Sequence, residues 1–143
     1  MTSFKLAVLI AMGLASAGLP AFAGDESERV QFRTPSDNIH CLVSSADASI
    51  DCEIIDVTTF STLPERPADC DLEWGQRFSM KDTGEAQLIC TGDTVRDHQS
   101  TIVPYGETFS YGQLTCESTE AGLTCKNADG HGFMLSKARQ ELF

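Results

Sequence analysis

Apolar and polar positions alternate in short runs along most of this chain, the period-two pattern of half-buried β-strands. Ile39-His40-Cys41-Leu42-Val43 and Ile50-Asp51-Cys52-Glu53-Ile54 are the clearest pair. Set opposite each other in an antiparallel hairpin, with 43 facing 50, they place Ile39, Cys41 and Val43 on one face with Ile50, Cys52 and Ile54. Asp51 and Glu53 then point the other way, and Ala46-Asp47 is left as a two-residue turn. Gln113-Leu114-Thr115-Cys116 and Gly122-Leu123-Thr124-Cys125 repeat the arrangement around a three-residue loop, Glu120-Ala121-Gly122, in which Gly122 supplies a positive φ. A third pair spans Arg77–Met80 and Ala86–Ile89 and turns at Asp82-Thr83-Gly84.

Further strands are expected at 30–33, 107–111 and 131–135, with the second strand of the first hairpin running on to Val57. Residues 58–69 carry Pro64 and Pro67 and read as a surface loop. The tail departs from the pattern. Ser136 is placed to cap a short helix over Lys137 to Leu142, with Leu135, Ala138 and Leu142 on one side. Short strands with frequent turns predict an all-β fold, a small disulfide-stapled antiparallel sandwich or barrel with that short C-terminal helix.

The amino terminus has its own pattern. Lys5 precedes an uncharged, mostly apolar run from Leu6 to Leu19, and Ala21-Phe22-Ala23 follows Pro20. This reads as a signal peptide over residues 1–23. The run is too short for a bilayer core, which needs about 20 apolar residues. A flexible acidic leader at 24–29 and a single domain at 30–143 complete the organisation. Export to the periplasm or the exterior is expected, with no membrane insertion after cleavage.

Export gives the six cysteines their meaning, because an even count in an oxidising compartment reads as a disulfide framework. The hairpin registers pair Cys41 with Cys52 and Cys116 with Cys125, which leaves Cys70 to pair with Cys90. Zinc is the rival use, and no C-x-x-C spacing supports it.

Charge narrows the function. Ten Lys and Arg against 21 Asp and Glu give a net charge of −11. Nucleic acid is an unsuitable partner for such a surface. No catalytic or phosphate-binding motif is present, no cofactor is expected, and with every cysteine in a bridge no thiol nucleophile is foreseen. Asp69, Asp71 and Glu73 alternate in a way that would suit a hard cation on a strand, although a solvated face is the commoner meaning. His98 lies in a polar run and reads as solvated. His40 points away from the cysteine face, and His131 sits between Gly130 and Gly132, which permit close approach of a ligand or another strand. Trp74 reads as a core plug, with an exposed contact residue as the other option.

Several segments carry a resemblance. Thr34-Pro35-Ser36-Asp37-Asn38-Ile39-His40-Cys41, Arg66-Pro67-Ala68-Asp69-Cys70-Asp71-Leu72-Glu73-Trp74-Gly75, Cys90-Thr91-Gly92-Asp93-Thr94, Gly122-Leu123-Thr124-Cys125 and Gly130-His131-Gly132-Phe133 stand in that order. Together they resemble a family of small secreted bacterial domains of unknown function, from about residue 30 to the end. The resemblance implies an exported bacterial protein and places His40, Trp74 and His131 inside shared motifs. It transfers no activity.

The expected function is a non-enzymatic, monomeric binding module for a basic cell-envelope protein or peptide, with His40, Trp74 and His131 as candidate binding residues. The alternative is a small metal-binding or hydrolytic protein using His40 and His131.

Overall fold

The computed structural model describes residues 28–59 and 62–143; the signal-peptide reading and most of the leader lie outside them. Eleven strands form in chain order, β1 (Arg29–Arg33), β2 (Ile39–Ser44), β3 (Ser49–Ile54), β4 (Arg77–Lys81), β5 (Gln87–Leu88), β6 (Thr101–Ile102), β7 (Thr108–Tyr111), β8 (Leu114–Thr119), β9 (Gly122–Lys126), β10 (Gly132–Leu135) and β11 (Gln140–Leu142). They make two sheets. Sheet A runs β5-β4-β3-β2-β1-β6 and sheet B runs β11-β10-β9-β8-β7. All pairings are antiparallel except β1 with β6.

Period-two alternation gives each sheet one apolar face, and the two faces bury each other. Phe32 of β1 stacks on Phe109 of β7 at 4.3 Å, and Phe78 of β4 meets Phe133 of β10 at 5.8 Å. Two disulfides lie within the same core. Cys41 faces Cys52 across β2 and β3, Cys116 faces Cys125 across β8 and β9, and all four residues are fully buried. The third bridge, Cys70–Cys90, ties the long β3–β4 connection to the segment after β5. Loops of this size restrict the unfolded chain by about 3 kcal/mol per bridge. The fold is all-β, and of the sandwich and the barrel that the alternation allows it is sandwich-like; three disulfides suit a chain folded in an oxidising environment.

The register of the first hairpin is as expected, with Val43 opposite Ile50, but both turns differ in length. β2 ends at Ser44 and β3 begins at Ser49, so the connection is Ser45–Ala48, with Ala48 at φ 46°. Ser45 N–H donates to the Glu28 carbonyl and the Ala48 carbonyl accepts from Asp82 N–H, so the flanks of the turn extend the β1–β2 and β3–β4 ladders. In sheet B, Thr119 pairs with Gly122, leaving Glu120-Ala121 as a two-residue turn. Gly122 has the expected positive φ, and a β-carbon there would stand 2.3 Å from the Leu135 carbonyl oxygen.

The C-terminal helix does not form. Ser136 and Arg139 close a tight turn through backbone and Oγ hydrogen bonds, and Gln140–Leu142 returns as β11 against β10. A six-residue helix has almost no stability of its own, whereas the strand pairs with β10 and buries Gln140 completely. No helix among the described residues is long and apolar enough to cross a membrane.

Candidate functional site

One transverse row on the outer face of sheet A gathers the polar groups that sequence reading left scattered. Arg33 stands opposite His40, His40 opposite Glu53, and Glu53 opposite Arg77, across β1, β2, β3 and β4. Each alternates with core residues and so points away from the core. An outward face is normally wet, yet His40 and Glu53 are 1% and 6% exposed. The reason is a strap, residues 93–100, which crosses the four strands.

The strap follows the row residue by residue. Arg77 Nη1 donates to the Asp93 carbonyl. Glu53 accepts from Thr94 Oγ1 at 2.7 Å, Val95 N at 3.0 Å and Arg96 Nε at 2.7 Å. His40 Nδ1 accepts from Asp97 N at 3.2 Å, and Arg33 Nε donates to the Ser100 carbonyl. Val95 is the strap's buried apolar residue. Burial pushes the Glu53 carboxyl up, but the hydrogen bonds from Thr94 and Val95 and the Arg96 guanidinium outweigh it and hold Glu53 below the usual carboxylate range.

His40 is thereby fixed in one tautomer. Nδ1 faces an N–H and must be the acceptor, so the proton sits on Nε2, which donates to the Asp37 carbonyl at 3.1 Å. Asp37, at φ 58°, accepts from Arg33 Nη1 and from His98 Nδ1 at 2.6 Å. The hydrogen bond from His98 holds the Asp37 carboxyl below its usual range, against its desolvation and with help from Arg33. Among the described residues, Asp37, His40 and His98 come close enough to hold a metal ion, with their ligand atoms within 4.8 Å of one another. For His40 to join through Nε2, it would give up its bond to the Asp37 carbonyl and carry its proton on Nδ1, where the Asp97 N–H already points. What stands ready is therefore a two-residue pair, Asp37 and His98, short of the three protein ligands of most metal sites.

Sequence reading had His98 solvated. It is 64% exposed but anchored to Asp37. No local pattern announces that contact, since 61 residues separate the partners.

The other candidates go elsewhere. His131 lies in a turn stabilised by Asn127, whose side chain also bonds Lys81 and Gly84 and so clips sheet B to sheet A. That clip is beside Lys81, four residues along the strands from the His40 row, or about 13 Å. His40 and His131 do not meet. Gly132 explains the glycines around His131, because a β-carbon there would lie 1.9 Å from the Cys125 carbonyl oxygen. The close approach is to a strand. Trp74 is not in the core; it is half-buried over the long connection, with Nε1 donating to the Pro64 carbonyl at 3.0 Å. Asp69, Asp71 and Glu73 are exposed in the same connection rather than aligned on a strand.

Beside the Asp37–His98 pair the two sheets part to leave a cleft of about 490 Å³. Sheet A contributes Asp37, Ile39, Ile55 and Asp56; sheet B contributes the Glu120-Ala121 turn and Lys137; Tyr105 and His98 stand at its sides. None of His40, Trp74 and His131 lines it.

A family model matches residues 6–143, and its description is a family of unknown function, DUF6636. The chain belongs to that family. No curated protein and no solved structure matches it. The DUF6636 match spans both sheets, the strap and the cleft, so the site described here is built wholly from family sequence.

Proposed function

We propose that this DUF6636 protein is an exported, acidic, non-enzymatic binding module whose partner is a basic cell-envelope protein or peptide. The observation that carries this reading is a net charge of −11 on a scaffold whose buried ionisable side chains, His40 and Glu53, are both spent on the strap. Groups held in that way are poor proton shuttles, while exposed carboxylates steer a cationic partner and raise its association rate. The apolar run at Leu6–Leu19 and the disulfides support the export in this reading, in which residues 1–23 are removed and the remaining chain is a monomer in the periplasm or outside the cell. Intact mass of the exported protein tests the cleavage, expected to leave Gly24 first.

Retention on the immobilised protein tests the function. Basic envelope proteins or cationic peptides should be retained at low salt and released at high salt, because the Debye length falls from about 30 Å at 0.01 M to about 3 Å at 1 M. Failure to hold any basic species at low salt overturns the reading.

The second reading is a metal-binding or hydrolytic protein. Its support is the Asp37–His40–His98 grouping, not the pairing of His40 with His131. Elemental analysis before and after chelation, with melting followed in parallel, decides it; metal-free protein with an unchanged melting temperature rejects it.

A further inference from the structure

We infer that the cleft at the open end of the sandwich receives the side chain of a lysine or arginine from a basic peptide, an inference that rests on the binding-module reading and names its site. The volume, about 490 Å³, falls in the range of formed ligand sites, roughly 300–1,000 Å³. Its walls suit an amphipathic side chain. Ile39 and Ile55 of sheet A and Ala121 of sheet B offer apolar surface for a methylene stem. Tyr105, 42% exposed, also lines the cleft, and the face of a tyrosine ring attracts a cation.

The charges at the rim are of two kinds. Asp37 is already satisfied by Arg33 and His98. Asp56 and Glu120 form no ion pair among the described residues. Asp56 is also held in place, since its backbone N–H and carbonyl both bond the Asn38 side chain. A cationic group entering the cleft gains these two carboxylates without breaking an existing contact. Lys137 is the opposing feature: its ammonium repels the same ligand, while its backbone carbonyl, which accepts from Thr58, does the structural work.

The test uses the full exported chain and a tetralysine peptide, with affinity measured by calorimetry at low and at physiological salt. Asp56→Asn with Glu120→Gln should weaken binding about tenfold, and Lys137→Ala should tighten it severalfold. A charge-matched control, Asp71→Asn with Glu85→Gln, removes two exposed carboxylates that lie outside the cleft and should change affinity less than twofold. Melting temperatures of all variants should match the parent, since none of these side chains is buried. Equal weakening by both double variants would show that bulk charge does the binding; this overturns the cleft and leaves the binding module standing. No binding of tetralysine by the parent at low salt overturns both.

Discussion

The two sheets bury the same kind of inner face and treat their outer faces in opposite ways. Each contributes an alternating apolar surface, with one cross-strand disulfide set among Phe, Ile and Leu side chains. Outside, sheet B is bare among the described residues, and Thr108, Ser110, Thr115, Glu117 and Lys126 are all exposed. Outside sheet A, the strap seals His40 and Glu53 from water. The difference is one of hydrogen-bonding demand. Hydroxyls and single charges are content in solvent, whereas a carboxylate and an imidazole removed from water need hydrogen-bond partners. The strap supplies those partners, and in return the row fixes the strap. Among the described residues, the buried His40 and Glu53 are thus both engaged in holding the strap.

The largest effects should come from the shared inner layer, where the sheets should behave alike. Replacing Cys41 and Cys52 with Ala, or Cys116 and Cys125 with Ala, should each destabilise the fold by about 3 kcal/mol in denaturant titration, since the bridged segments span 11 and 9 residues. A large inequality would mean that one sheet carries the core. Gly132→Ala sharpens the comparison from the sheet B side. Its new methyl would overlap the Cys125 carbonyl, at a cost of about 2–3 kcal/mol by thermal melting.

Outer-face changes should then separate the sheets. Glu53→Gln retains an acceptor for Thr94 or Val95 but loses the charge facing Arg96, and should cost about 1–2 kcal/mol. Thr115→Ala, at the centre of the bare face, should stay within about 0.5 kcal/mol. The pH dependence has a definite sign. Glu53 has a folded value depressed below its unfolded one, so its stabilisation is complete above the unfolded value, about 4.3, and is lost as pH falls through the folded value. Acid should loosen the strap before the sandwich unfolds, and Glu53→Gln should flatten that part of the pH–stability curve.

Sequence patterning shows how far local information reaches. The β2–β3 hairpin is legible because its strands are close in the chain and alternate cleanly, so placing Val43 opposite Ile50 also sets Cys41 against Cys52. The same alternation turns His40 and Glu53 away from the core. Their burial is not legible, because the strap reaches them from 41 to 57 residues away and carries only Val95 as an apolar anchor. Four outward-facing polar residues on adjacent strands, Arg33, His40, Glu53 and Arg77, were the available clue. The tail misleads for a related reason. Leu135, Ala138 and Leu142 have helical spacing, but pairing of Gln140 with Leu135 across a turn decides the outcome, and propensity gives way to tertiary contact. Trp74 is half-buried because its indole N–H is satisfied by Pro64 on the surface loop rather than drawn into the sandwich.

Amide hydrogen exchange at Val95 and Asp97 tests the row-and-strap account most directly, since these two N–H groups donate to Glu53 and His40 and to no backbone carbonyl. Both should be protected at neutral pH and should lose much of that protection in Glu53→Ala, while amides of β8 and β9 stay unchanged. Exchange of Val95 and Asp97 in the parent at the rate of an open loop would mean that the row holds nothing down.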